Sequence, residues 1–68
     1  MGESKQLILD LLLTCLQATS NLYDLTDLKY VAEDETVIAT FSSGYTKTAN
    51  VAMDSGTAMI RDVIRQIV

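Results

Sequence analysis

The sequence predicts a small α+β domain with the element order α-β-β-β-α, and three observations support this prediction. Residues 7–16 are rich in leucine and have the spacing of a helix. From residue 28 onward the apolar residues alternate with polar ones, with Thr, Val, Tyr and Phe enriched, as is typical of strands. Residues 59–68 again show helical spacing. We therefore expect an antiparallel three-stranded meander, at minimum a hairpin, with two helices packed on one face.

The first helix carries more apolar surface than one sheet can cover. It is predicted to begin with Ser4 or Glu3 as N-cap and to run to about Thr19. At about 100° per residue, its apolar positions cover roughly 240° of the helix circumference, whereas a helix on one sheet needs an apolar stripe of only about 100°. The surplus must be covered by the second helix, a second copy of the chain, or lipid. The hypothesised interface residues are Leu9, Leu12, Leu13 and Leu16.

The central part of the chain is predicted to form strands at residues 28–32, 36–41 and 45–53. Residues 22–27 fit a short helical turn, because leucines recur there every three positions. A three-residue hairpin loop that ends on Gly44 pairs Phe41 with Tyr45. A two-residue loop at Asp34 and Glu35 joins the first two strands.

These pairings predict which residues of the strands face the helices. The apolar, inward face is expected to contain Leu28, Tyr30, Ala32, Val37, Ala39, Phe41, Tyr45, Ala49, Val51 and Met53. The opposite face is assigned to water, as in many antiparallel sheets. It is expected to contain Lys29, Val31, Thr36, Ile38, Thr40, Thr46, Thr48 and Asn50.

The second helix has the simplest pattern in the chain. Asp54 or Ser55 is its predicted N-cap. One apolar stripe follows, made of Met59, Ile60, Val63, Ile64, Ile67 and Val68. The residues expected to face away from the sheet are Thr57, Arg61, Asp62, Arg65 and Gln66.

Composition restricts the classes of function that are open to the protein. At 68 residues one domain, residues 1–68, is expected. The chain has no histidine and a single cysteine, so we expect neither a disulfide within the chain nor a metal or cofactor site. Nine acids and five bases give a net charge of −4, which argues against nucleic-acid binding. The apolar run is about half the ~20 residues of a membrane span, so we expect a cytoplasmic protein without membrane contact.

One short motif points towards catalysis. Asp54-Ser55-Gly56-Thr57, preceded by Val51 and Ala52, resembles the active-site signature of the aspartic proteases. In the retroviral-type members of that family a homodimer supplies one such aspartate from each chain, so the resemblance implies a dimeric aspartyl hydrolase that uses Asp54. The chain departs from the family at Met53, and only twelve residues follow Gly56. The alternative interpretation is a helix N-cap.

A cluster of acidic residues provides a second hypothesis. Five of the nine acids fall within twelve residues, namely Asp24, Asp27, Glu33, Asp34 and Glu35. Such a cluster could bind a basic partner surface, as an acidic inhibitor or a nucleic-acid mimic. Solvated loops that protect a sheet edge are the simpler explanation.

The leading functional hypothesis is a non-enzymatic protein that acts through protein–protein contacts. The apolar surplus of the first helix and the lack of catalytic side chains together predict a small intracellular accessory or regulatory protein. We expect it to be a homodimer, with the first helix at the contact.

Overall fold

The computed structural model describes residues 4–19, 22 and 24–67, and it confirms the predicted α-β-β-β-α order. Two helices flank an antiparallel meander in which the strands lie in the order β1-β2-β3. The elements are α1 (Lys5–Gln17), β1 (Leu25–Val31), β2 (Thr36–Phe41), β3 (Thr46–Asn50) and α2 (Gly56–Ile67).

Helix α1 begins as the sequence predicts. Ser4 is its N-cap, and the Ser4 hydroxyl accepts a hydrogen bond from the Leu7 amide at 3.3 Å. This bond satisfies one of the amides that the first helical turn leaves without a backbone partner. The helix ends at Gln17, two residues before the predicted end at Thr19. Glu3, the alternative cap, lies outside the described residues.

Strand β1 begins at Leu25, three residues earlier than predicted, because a β-bulge interrupts its alternation. Leu25 pairs with Phe41, but the next pair joins Asp27 to Thr40, so Thr26 is the additional residue. The bulge turns both Leu25 and Leu28 towards the core, although they are three positions apart. The prediction of a helical turn over residues 22–27 was therefore wrong for its second half, since a bulged strand can also place apolar residues three apart.

The turn between β1 and β2 is longer than predicted. Four residues, 32–35, connect Val31 to Thr36, instead of a two-residue loop at Asp34 and Glu35. The register therefore shifts by two residues, which preserves the face of every side chain in the strand. Leu28 and Tyr30 still face inward as predicted, whereas Ala32 lies exposed in the turn.

The second hairpin matches its prediction. Gly44 has a φ of 90°, a left-handed conformation that glycine adopts without steric cost. The Gly44 amide donates to the Phe41 carbonyl at 2.8 Å, and the Phe41 amide donates to the Tyr45 carbonyl at 2.8 Å. Phe41 and Tyr45 are thus paired across the loop.

Strand β3 is shorter than predicted at its C-terminal end. It stops at Asn50, whose side-chain oxygen accepts a hydrogen bond from the Ala52 amide at 2.9 Å and so begins a turn. Met53 lies in this turn with a φ of 62° and is 94% exposed. The prediction that Met53 belongs to the core face was therefore wrong. Tyr45 is also largely exposed, although its register places it on the helix side.

Both helices cover the same face of the sheet, as predicted, and form one core with it. Their buried side chains belong to a single cluster with the inward residues of all three strands. The core residues are Leu9, Leu16, Leu22, Leu25, Leu28, Val37, Ala39, Phe41, Ala49, Val51, Met59, Val63 and Ile67. On the opposite face Lys29, Thr46, Thr48 and Asn50 are exposed, which confirms its assignment to water.

Helix α2 is capped by Ser55, whose hydroxyl accepts a hydrogen bond from the Ala58 amide at 3.2 Å. Met59, Val63 and Ile67 are buried as predicted, while Ile64 at the margin of the stripe is 42% exposed. Val68 lies outside the described residues.

Candidate functional site

Two glutamines fix the orientation of helix α1 on the sheet. β1 is an edge strand, and its outward backbone groups would otherwise lack partners. The Gln6 side chain donates to the Leu28 carbonyl and accepts from the Tyr30 amide, both at 2.9 Å. The Gln17 amide donates to the Leu25 carbonyl at 2.8 Å. These bonds tie α1 to the edge at both of its ends and so determine which side of the helix faces solvent.

The hypothesised interface residues lie mostly on the inner side of α1. Leu9 is fully buried and Leu16 is 8% exposed, and both belong to the core of the protomer. Leu12 and Leu13 are half-buried and pack against the same core. Leu9 and Leu16 are therefore covered by the protein's own sheet and second helix. The predicted contact of α1 with a partner stays a prediction, but Leu9 and Leu16 are not accessible to it.

The outer side of α1 has an apolar row of its own. Leu7 is 56% exposed, Leu11 is 64% exposed, and Cys15 is also exposed. These three residues are four positions apart, so they form one line along the helix surface. We call Leu7, Leu11 and Cys15 the α1 ridge. Sequence reasoning identified the surplus apolar surface of this helix, but two of the interface residues it named, Leu9 and Leu16, belong to the core.

The acidic residues do not converge on one surface. Asp24 and Asp27 lie at the start of β1, whereas Glu33, Asp34 and Glu35 lie in the turn after it. Asp27 lies four residues before Val31, the last residue of β1, so the strand separates the two groups by about 13 Å at ~3.3 Å per residue. Glu35 is half-buried, and its carboxylate accepts a hydrogen bond from the Met53 amide at 3.4 Å. The five residues are thus two separate groups.

Asp54 meets a carboxyl group of its own chain. It directly precedes the N-cap of α2, and its carboxyl lies beside that of Asp62, two helical turns further along. The Asp54 Oδ2 atom is buried and has no hydrogen-bond partner among the described residues. Two ionised carboxylates have no donor and cannot form a hydrogen bond with each other, whereas a pair that shares one proton can. Sharing a proton with Asp62 is the main cause that raises the pKa of Asp54, followed by burial and by repulsion from Asp62, while Lys5 opposes the rise.

Asp62 was missed by sequence reasoning, which assigned it to the solvent side of α2. In the structure it is half-buried. The segment after Asp54 is helical, whereas the aspartic proteases that the motif resembles continue into strands.

A pocket of about 400 Å³ lies at the opposite end of α2. It is lined by Leu22, Asp24, Phe41, Ser43, Tyr45, Lys47 and Ile67. The Lys47 ammonium donates to the Ile67 carbonyl at 3.1 Å, where a cation interacts favourably with the helix C-terminus. Lys47 is half-buried, because the register places it on the helix side of the sheet, opposite Ala39. Phe41 and Tyr45 form one wall, with ring centroids 5.9 Å apart.

The described residues contain neither a cluster of metal ligands nor a helix that could span a membrane. Among residues 4–19, 22 and 24–67, no group of three His, Cys, Asp or Glu side chains could together hold a metal ion. Within the same residues, neither helix is long and apolar enough to cross a membrane.

Comparison with models of protein families, with curated proteins and with solved structures gives no match to this chain.

Proposed function

We propose that this protein is a small non-enzymatic accessory or regulatory protein that acts through protein–protein contacts, as a homodimer joined at the α1 ridge. The observation that carries the proposal is the exposure of Leu7 and Leu11 on the outer side of a helix whose inner side is already packed.

The energetics of the ridge support an association. Complete burial of a leucine side chain contributes roughly 1.5–3 kcal/mol, so covering the exposed part of each ridge leucine contributes about 1–2 kcal/mol. Single exposed apolar residues are normal on protein surfaces, and Met53 is one of them. A line of three exposed apolar side chains on one helix indicates a contact surface more specifically than a single exposed residue does.

The arrangement of the polar side chains supports a non-enzymatic role. The chain has no histidine, which removes the commonest general base. The pKa of the Asp54 carboxyl is raised by its neighbour Asp62, but neither of these two residues lines the 400 Å³ pocket. The pair of carboxyl groups formed by Asp54 and Asp62 is thus separate from the cavity.

Sedimentation equilibrium of the wild type and of Leu11→Gln tests the proposal. We expect the wild type to form dimers as its concentration rises from about 10 µM to 1 mM, because a contact this small is expected to be weak. Leu11→Gln should shift the equilibrium at least tenfold towards monomer, which corresponds to about 1.4 kcal/mol.

Ile64→Gln is the matched control, since Ile64 is a partly exposed apolar residue on the other helix. It should associate like the wild type. A wild type that stays monomeric over the whole concentration range would refute the proposal.

A further inference from the structure

We propose that the two copies of α1 pack antiparallel, about a two-fold axis that passes beside Leu11. This inference rests on the proposed function, because it specifies the geometry of the dimer that the α1 ridge forms. It commits the ridge to one partner, a second copy of the chain.

The position of Leu11 is the first argument. Leu11 is the middle residue of the 13-residue helix Lys5–Gln17, and the other two ridge residues lie four positions to either side. A two-fold axis at Leu11 brings Leu11 against its own copy and Leu7 against Cys15 of the other copy. A symmetric dimer requires this reciprocity, in which residue i contacts residue j and j contacts i. The ridge fulfils it along its whole length.

Charge is the second argument. The centre line of the ridge has no charged side chain, while the chain as a whole has a net charge of −4. A basic partner would be attracted to the exposed acids of β1 and of the turn after it. A second copy has the same net charge, so it is repelled from those residues and approaches most easily at a neutral surface. Antiparallel packing also places the positive end of each helix dipole beside the negative end of the other.

The flanks of the ridge fit the same arrangement. Ile8 and Leu12 are half-buried and lie on one side of the ridge, whereas Asp10 and Thr14 are exposed on the other. When two antiparallel helices are related by a two-fold axis, equivalent flanks lie side by side. The apolar flanks therefore cover each other, and the polar flanks stay together at the solvent margin.

Disulfide formation under a mild thiol oxidant tests this geometry. In the antiparallel pair the two Cys15 residues are offset by eight positions, or about 12 Å along the helices, which exceeds the Cα separation of about 7 Å that a disulfide tolerates. The wild type should therefore give no linked dimer. Leu7→Cys, with Cys15 retained, should give a linked dimer in which peptide mapping finds position 7 joined to Cys15.

The double variant Leu7→Cys/Cys15→Ser is the matched control, and it should give no linked dimer in an antiparallel pair. Linked dimers in the wild type and in this double variant would show a parallel pair, which overturns the inference and leaves the proposed function intact. Dimers in sedimentation that none of the variants can link would show a contact elsewhere, and would also overturn it. Monomers alone in sedimentation would overturn both.

Discussion

At the scale of single residues, the turn between β3 and α2 is held in place by backbone and side-chain contacts with Glu35. Met53 and Glu35 are the two non-glycine residues with positive φ among the described residues, at 62° and 51°. They are linked, since the Glu35 carbonyl accepts from the Val51 amide at 2.9 Å and its carboxylate accepts from the Met53 amide. Such conformations persist only where surrounding contacts hold them. The turn that is held in this way places Asp54 beside Asp62.

The carboxyl pair predicts a specific dependence of stability on pH. The pKa of Asp54 is raised above its ordinary value of 3.8, so the folded state binds this proton more tightly than the unfolded state does. The resulting stabilisation is complete below pH 3.8 and is lost as the pH rises through the raised pKa. Asp54→Asn cannot ionise at this position. The variant should therefore be more stable than the wild type at pH 7, and the difference should shrink towards pH 3, as measured by urea unfolding.

A second substitution identifies the cause of the effect. Asp62→Asn removes the main cause of the raised pKa of Asp54 but leaves the contribution of burial, so it should reduce the same pH dependence, and the double variant should add little to Asp54→Asn alone. If Asp54→Asn keeps the full pH dependence of the wild type, the pair does not act as described.

At the scale of elements, glutamine side chains from both helices complete the edges of the sheet. Gln6 and Gln17 of α1 bond to the backbone of β1, and Gln66 of α2 bonds to β3. The Gln66 side chain accepts from the Asn50 amide at 3.0 Å and donates to the Asn50 carbonyl at 3.1 Å. A primary amide presents the same donor and acceptor as a neighbouring strand, so each glutamine replaces part of a missing strand.

Gln6→Ala should destabilise the fold by about 1–3 kcal/mol, because it removes two hydrogen bonds that are each worth roughly 0.5–1.5 kcal/mol. Urea unfolding measures this loss. Gln17→Ala, which removes one bond to the same strand, is the matched control and should cost about half as much. An equal loss in both variants would show that side-chain packing, rather than edge hydrogen bonding, is responsible.

At the scale of the whole molecule, the fold has one covered and one uncovered sheet face, and self-association would add a further layer outside α1. A dimer stabilises the folded state by mass action, so its melting temperature depends on protein concentration. We expect the melting temperature of the wild type to rise over a hundredfold increase in concentration, and that of Leu11→Gln to stay nearly constant. Calorimetry at the two ends of this range measures the effect. Equal behaviour of the two proteins would indicate that the α1 ridge has no part in any association.

Much of the fold could be predicted from local patterns. The Ser4 cap, strand β2, the Gly44 hairpin and the buried stripe of α2 each follow from a few neighbouring residues. The bulge at Thr26 could not be predicted, because the same leucine spacing fits a helical turn and a bulged strand. The pairing of Asp54 with Asp62 was missed for a related reason. The helical pattern assigns Asp62 to the solvent side, and the turn that brings Asp54 to it depends on a contact between Met53 and Glu35, which are 18 residues apart.

The sequence by itself determined the element order, the inward face of the sheet and the presence of an apolar surplus on α1. These properties depend on periodicity and on short-range backbone chemistry, which a single chain displays directly. Only the tertiary structure decided which leucines form that surplus. The rotation of α1 about its own axis is set by Gln6 and Gln17 against the edge of β1, and these contacts join residues that are 8 to 24 positions apart. A helix that is apolar around most of its circumference has no local feature that selects one face, so long-range hydrogen bonds select it.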